Sequence, residues 1–468
     1  MNDGPEIIIL GSGSTAFAAA LRAQEKGARP VMIERSSLGG TCINWGCVPS
    51  KTLIHGALFR RQAELGERLG LGTCAGYPDF GVLDAHKYRV VGELRRTKYL
   101  DVLRKVPGLR LIKGNAVFTG PNTLEAGDTL LTGDRFLIAT GGSPRVPAIP
   151  GLDRIPFLTS KSALLLKELP TSLTIIGGGV IALELGQMFL RLGVPVTVLE
   201  HGATLLANME PEPARALHEA LAEEGMRIVL GVNVCSVARH PGGIRVETEV
   251  GGEIRYFVAS QLLLAVGTAP ATSGIGLERA GVEVDGRGFV KVDKEMRTSA
   301  PGIWAAGDVT GGMQIATVGA REGITAVDNM LDAGCRCAID YRSIPMAIFT
   351  DPEFGTVGYT EQEAQREGFE TVSHTIPASA IPKSHVTGSL KGAVKIVAER
   401  DNGRILGIHI CLHRGADVAN EAALAIKYGM TVAQLADTLH VYPSMGEGLR
   451  LCAQAFRRDL DRLSCCAE

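Results

Sequence analysis

Two pairs of cysteines mark where this 468-residue chain could do chemistry. Cys42 and Cys47 stand five residues apart in Gly-Gly-Thr-Cys42-Ile-Asn-Trp-Gly-Cys47-Val-Pro-Ser-Lys51, and Thr-Leu-Ile-His-Gly-Ala-Leu-Phe continues an apolar helical pattern beyond Lys51. That spacing can close a small, reducible disulfide, and a helix start carries partial positive charge that favours thiolate over thiol. The pair reads as a redox centre, not a staple. At the other end the chain closes Leu-Ser-Cys465-Cys466-Ala-Glu. Vicinal cysteines make a poor disulfide but a good ligand pair for a soft metal.

A redox pair has to be supplied with electrons, and two glycine turns show where carriers would sit. Glu-Ile-Ile-Ile-Leu is a short apolar strand that runs into Gly11-Ser-Gly13-Ser-Thr-Ala16. An Ala-rich helix over Phe17 to Lys26 follows, then a second strand, Pro30 to Ile33, closed by Glu34. This is the plan of a dinucleotide-binding βαβ unit. The first glycine makes the tight turn, the second lets a pyrophosphate approach the helix N-terminus, and the acid binds a ribose hydroxyl. The unit recurs as Leu173 to Ile176, Gly177-Gly-Gly179-Val-Ile-Ala182 and Val196-Thr-Val-Leu199-Glu200, each key position moved by 166 residues. Two such units predict two dinucleotides, FAD and a nicotinamide cofactor.

The thirteen residues around Cys42 and Cys47 resemble the active-site segment of the flavin-dependent pyridine nucleotide disulfide oxidoreductases. The Ser-Cys-Cys-Ala end is similar to the one that the mercuric reductases of this family use to pick up Hg(II). The resemblance spans essentially the whole chain. It implies an α/β fold with two Rossmann-like dinucleotide-binding domains, one for FAD and one for the nicotinamide, and a C-terminal α+β dimerisation domain. Phe136-Leu-Ile-Ala139-Thr140-Gly141-Gly142 and the Pro-rich run after it resemble the family's crossing into the nicotinamide domain, which ends at Leu262-Leu-Leu-Ala-Val-Gly267. Gly302-Ile-Trp-Ala-Ala-Gly307-Asp308 matches the second FAD motif, whose Asp contacts the ribityl chain. The expected domains are therefore residues 1–149 and 271–340 for FAD, 150–270 for the nicotinamide, and 341–468 for the interface. In the last, Ile344 to Phe349, Ala393 to Ala398 and Ile405 to Ile410 are predicted strands, and Glu421 to Tyr428 and Val432 to Leu439 predicted helices.

Residue roles follow from the same resemblance. Hydride passes from nicotinamide to flavin and two electrons pass on to the cysteines. Cys47 would face the flavin as thiolate, and Cys42 would be the exchange thiol. Lys51 matches a lysine near the flavin N5, and Glu184 its ion-pair partner. Gly40 and Thr41 join the glycine turns, Ala139 to Gly141, Gly267, Gly307 and Asp308 as cofactor-binding positions. Glutathione and lipoamide reductases carry His-x-His-Pro-Thr-x-x-Glu, whose second His is the acid/base for leaving thiols. Here the segment reads His440-Val-Tyr442-Pro-Ser-Met-Gly-Glu447. A phenol with pKa about 10 is a poor proton shuttle at neutral pH, and reduction of a thiolate-bound Hg(II) needs none. His440, one strand step away, should point to the other face.

The chain departs from the mercuric reductases at three places. Phe157 stands where a second active-site tyrosine is expected, so no hydroxyl is offered there. The FAD strand opens at residue 6, without an extra metal-binding domain before it. Glu200-His201 occupies the place where NADPH-dependent relatives put a small residue and a basic one. A carboxylate there binds two ribose hydroxyls and repels a 2'-phosphate, so NADH is expected to serve at least as well as NADPH, unless a loop arginine such as Arg215 reaches the phosphate.

Composition narrows the partners. A net charge of -2 leaves no nucleic-acid footprint, and no apolar run reaches the length of about 18 residues that a membrane helix needs. With no basic leader at the N-terminus, the expectation is a cytoplasmic homodimer acting on small molecules, with Hg(II) thiolate complexes and the nicotinamide as partners. Cys74, Cys235, Cys335, Cys337, Cys411 and Cys452 are scattered and expected to be structural, the alternative for Cys335-Arg-Cys337 being half of a metal site, which has no second pair nearby. Two other readings stand beside mercury reduction: a reductase of lipoamide, glutathione or another small disulfide, and a metal-binding or redox-sensing flavoprotein without turnover.

Overall fold

The computed structural model describes residues 5–332 and 334–458. Near-continuous apolar runs with Val, Ile and Leu are the signature of strands buried on both faces, and such strands form two parallel sheets. In the first, Ile303–Ala305, Phe136–Ile138, Glu6–Leu10, Arg29–Glu34 and Arg110–Lys113 lie side by side in that order. Side chains alternate between two cores: Ile8 and Leu10 pack with Phe118 and Ile303, while Ile7 and Ile9 pack with Phe17 and Val327. The second sheet runs Arg227–Val229, Val196–Leu199, Leu173–Ile176, Gln261–Leu264 and Leu158–Thr159. Two short strands, Gly142–Pro144 and Thr268–Pro270, pair antiparallel at the crossings between the sheets.

A third, antiparallel sheet of five strands, Met346–Ile348, Glu353–Gly358, Ile405–Leu412, Ala393–Glu399 and Thr371–Pro377, carries the C-terminal helices. Three of its details depart from the sequence expectation. The first strand stops at Ile348 because the Phe349 amide donates to the Glu184 carboxylate at 2.9 Å. The helix expected from Glu421 begins at Gly415, where the chain passes so close to Glu353 that a Cβ would lie 2.5 Å from its carbonyl oxygen. The Glu353 carboxylate then accepts the Ala416 amide at 2.9 Å, fixing the helix start through a partner 63 residues away. Finally, Leu439 to Tyr442 is not a strand, so the position of His440 is set by a side-chain partner and not by strand alternation. His440 Nε2 meets Glu421 Oε1 at 2.7 Å, a pairing that raises its pKa and ties it to the Gly415–Lys427 helix.

Charged clusters join the second sheet to the third. Arg191 pairs with Glu224 at 2.6 Å and with Asp351 at 3.0 Å. Lys395, buried on its strand, meets Glu210 at 2.6 Å, Glu361 at 2.9 Å and Glu212 at 3.0 Å. Burial alone would lower the lysine's pKa, but its three carboxylate partners hold it above its ordinary value. No helix among the described residues is long and apolar enough to cross a membrane.

Removing the ammonium leaves Glu210 buried without its cation, a loss of about 3 kcal/mol for a broken buried pair. Lys395→Ala is therefore expected to lower the urea midpoint sharply, with Lys395→Arg milder. An unchanged midpoint would contradict this role for the cluster.

Candidate functional site

The cysteine pair sits on two nearly continuous helices, Gly40–Trp45 and Cys47–Arg68, with Cys42 in the first and Cys47 as the first residue of the second. Gly46 makes the link possible: a Cβ there would lie 3.0 Å from the Thr41 carbonyl oxygen and 3.2 Å from the Cys42 Cα. The Asn44 amide donates to the Leu38 carbonyl at 2.9 Å and the Gly40 carbonyl at 2.8 Å, which holds the short helix against the turn before it. Both sulfurs are free thiols in this structure. They are not equivalent. The Cys42 thiol donates to Cys47, and this hydrogen bond, helped by the Lys51 charge and opposed by burial, brings Cys47 down to about 7. The reciprocal effect, with burial, pushes Cys42 well above the ordinary thiol range.

Lys51 lies one helical turn beyond Cys47. Its Nζ donates to Glu184 Oε2 at 2.6 Å and sits 4.9 Å from the centre of the Phe349 ring. Glu184 belongs to the helix Val180–Arg191, and its other oxygen accepts the Phe349 amide. One buried carboxylate thus joins the cysteine helix, the second dinucleotide unit and the third sheet. Phe349 was not legible as a site residue, because its contribution is a backbone N–H and a ring position that no motif encodes.

The two glycine turns have the same build. Gly11 donates to the Ile33 carbonyl and Gly177 to the Leu199 carbonyl, each at 2.9 Å. Both have positive φ, and a Cβ would fall 2.3 Å from the Ala139 carbonyl oxygen in one and 2.5 Å from that of Ala265 in the other. Gly13 and Gly179 end these turns as the caps of the helices Ser14–Glu25 and Val180–Arg191, which carry Ala16 and Ala182. The first helix starts earlier than its apolar pattern does, because Ser14 and Thr15 form its first turn.

Around the first turn, Glu34 accepts the Ser12 hydroxyl at 2.6 Å and the Ser36 amide at 2.7 Å. The buried Thr140 hydroxyl has no hydrogen-bond partner among the described residues, Gly141 is open on its Cβ side, and burial raises the pKa of Asp308. A glycine cradle, a ribose-facing acid and an unsatisfied hydroxyl fit FAD. In the second unit Glu200 accepts the Gly178 amide at 2.5 Å and the Gly202 amide at 2.6 Å, so its carboxylate is held at the mouth of the turn. Gly179 and Gly267 are open on their Cβ sides, which leaves the approach clear for a nicotinamide dinucleotide. His201 Nδ1 lies 3.2 Å from the Val232 carbonyl oxygen. Arg215 is on the helix Pro211–Glu223 and not, as expected, on a loop.

Tyr442 and Glu447 belong to the C-terminal unit. Tyr442 is half exposed, while Glu447 opens a helix packed on the strands Thr371–Pro377 and Ala393–Glu399. Glu447 Oε2 is buried without a hydrogen-bond partner among the described residues, and burial raises its pKa. Phe157 packs partly buried against a cluster that includes Leu152 and Ile176. Cys465 and Cys466 lie outside the described residues. Cys335 and Cys337, expected to be separate structural residues, are bonded to each other. Cys411 and Cys452 are buried, and Cys74 is exposed.

A family model described as pyridine nucleotide-disulphide oxidoreductase matches residues 5–323, and that family's dimerisation domain matches residues 344–453. The chain belongs to the pyridine nucleotide-disulphide oxidoreductases. Among its curated relatives, a mercuric reductase of Staphylococcus aureus is 39% identical over 99% of this chain and 84% of its own length. A mercuric reductase of Streptomyces lividans is also 39% identical, over 99% of this chain and 98% of its own length. Solved structures are similar too. The HOCl-induced flavoprotein disulfide reductase RclA of Escherichia coli is 31% identical with a TM-score of 0.85, covering 96% of this chain and 99% of its own. LpdA of Mycobacterium tuberculosis is 28% identical with the same TM-score of 0.85, covering 97% of this chain and 100% of its own.

The asymmetry of the pair gives a titration. In the reduced protein, thiolate absorbance is expected to reach half its first step near pH 7, where Cys47 ionises. Cys42→Ala removes the largest stabilising contact and should move this midpoint up more than Lys51→Met does. A midpoint unmoved by either substitution would contradict the assignment of Cys47 as the thiolate.

Proposed function

We propose that this chain reduces Hg(II) to elemental mercury with NADH or NADPH as electron donor. The observation that carries the reading is the dithiol itself, with Cys47 lowered and Cys42 raised in pKa, taken together with Tyr442 in the sequence position where disulfide reductases have a histidine. The mercuric reductases among the relatives support it. Hg(II) is a soft cation that prefers two thiolates. Cys47 attacks a mercury bis-thiolate first, as thiolate, because it is the more readily ionised of the two. Cys42 follows and gives its proton to a departing ligand, so the two small ligands leave as one thiol and one thiolate. Two electrons then convert bound Hg(II) to Hg(0), and both sulfurs return as thiolates. When bound, FAD supplies the relay that accepts hydride from the nicotinamide and passes electrons on in pairs. Lys51 and Glu184 position the cysteine helix against that cofactor, Gly11, Gly13, Glu34, Thr140 and Asp308 hold it, and Gly177, Gly179 and Glu200 hold the nicotinamide dinucleotide.

The chain works as a homodimer in the cytoplasm. Cys465 and Cys466 of one subunit take Hg(II) from small thiols and hand it to Cys42 and Cys47 of the other, with Tyr442 at the handover. A phenol does not protonate a leaving thiol at neutral pH, which disfavours a small disulfide as substrate. Reduction of a small disulfide is the second reading, and the similarity to RclA favours it.

Cys42→Ser or Cys47→Ser is expected to abolish Hg(II) reduction while FAD stays bound. Only Cys47→Ser should also remove the long-wavelength thiolate–flavin absorbance. Full mercury turnover by either variant would sink the redox-pair assignment. Cofactor choice tests Glu200: kcat/KM at pH 7.5 should be at least as high for NADH as for NADPH, and Glu200→Ala should shift the ratio toward NADPH by roughly tenfold, about 1.4 kcal/mol of repulsion removed. A strong NADPH preference in the unaltered protein would rule out the ribose role.

A further inference from the structure

Cys335 and Cys337 lie just beyond the helix Ala316–Leu331, joined by a disulfide with their Cα atoms 5.5 Å apart. As a staple this bond does little. Cross-links stabilise by restricting the unfolded chain, and a ring of three residues restricts it least. The loop is held by other means. The buried Asn329 side chain donates from Nδ2 to the Cys337 carbonyl at 2.8 Å and to the Glu295 carbonyl at 3.1 Å, while its Oδ1 accepts the Cys337 amide at 3.0 Å. On the Cys335 side, its amide donates to the Asp332 carbonyl at 3.0 Å, and the Gly334 amide donates to the Asp332 carboxylate at 2.9 Å. Both backbone positions are therefore fixed without the sulfur–sulfur bond, and reduction leaves two thiols facing each other. Both cysteines are half-buried, so a ligand can reach them. Arg336 stands between them in sequence, its guanidinium exposed and 3.7 Å from Glu295.

We propose that Cys335 and Cys337 form a second dithiol site that binds one soft, two-coordinate cation of the Hg(II) class when reduced and is closed to metal when oxidised. The coordination number follows from the surroundings. Among the described residues no group of three or more His, Cys, Asp or Glu could hold a metal, so this pair suits a cation satisfied by two thiolates. The chemistry balances with small thiols as reductant. Two RSH reduce the disulfide to two protein thiols and leave as RSSR. The protein thiols then displace both ligands of Hg(SR)2, forming two S–Hg bonds and releasing two RSH with the protons the protein gives up. The site does not depend on turnover at Cys42 and Cys47.

The test uses the FAD-loaded full chain carrying Cys42→Ser, Cys47→Ser, Cys465→Ala and Cys466→Ala. The protein is reduced with a phosphine, loaded with one equivalent of Hg(II) and challenged with excess monothiol, which strips mercury from single cysteines such as Cys74 but not from a chelate. Native mass spectrometry is expected to find one mercury retained per chain, and none when Cys337→Ser is added or the protein is left oxidised. A second measurement covers a misfolded variant: with both cysteines intact, mercury should protect Cys335 and Cys337 from alkylation while Cys74 stays reactive. No retained mercury, or equal retention without Cys337, would overturn the proposal, as would alkylation of the pair at an unprotected rate.

Discussion

The site depends on where the Glu184 carboxylate is held. It is buried on a helix of the second dinucleotide unit, with one oxygen on the Lys51 ammonium and the other on the Phe349 amide. A buried carboxylate is costly unless its charge is met, and here the two groups that meet it come from two other parts of the chain. Folding the three sheets together is therefore the same event as placing Lys51 beside Cys47. The arrangement also sets the state of the sulfur. Lys51 favours the Cys47 thiolate, Glu184 opposes it, and the hydrogen bond from Cys42 decides the balance. The carboxylate anchors the lysine while tempering its charge.

The repeated glycine turn was legible because its demands are local. A strand that must bend at once into a helix, with a carbonyl 2.3 Å from where a Cβ would be, leaves only glycine at residue 11, and the same holds at residue 177. The buried strands showed as apolar runs for the same kind of reason, since each is covered on both faces. What escaped was set by distant partners. Nothing in Ile344 to Phe349 says that its strand must stop at Ile348, because the group that takes the Phe349 amide is 165 residues away. The early start at Gly415 depends on Glu353 in the same way, and His440 follows Glu421 rather than a strand register. The bond between Cys335 and Cys337 was missed because spacing alone does not tell a bonded pair from two single cysteines.

Choice of substrate is a matter of proton chemistry more than of the fold, which this chain shares with a disulfide reductase at a TM-score of 0.85. A disulfide substrate needs a proton for each thiol that leaves, and the residue at 442 is a phenol. A metal bis-thiolate loses its two small ligands to the pair, one taking the Cys42 proton and the other leaving as thiolate, so no further acid is needed. In the proposed reading, an ionised Cys47 begins the exchange and the proton on Cys42 ends it.

The most direct test of the account is to follow oxidation of NADH and of NADPH by the FAD-loaded protein in the presence of excess small thiol, with Hg(II), oxidised glutathione or oxidised lipoamide as acceptor, and to collect elemental mercury from the gas phase. The account predicts rapid oxidation only with Hg(II) and one Hg(0) released per nicotinamide consumed. Efficient reduction of either disulfide with no mercury released would contradict it.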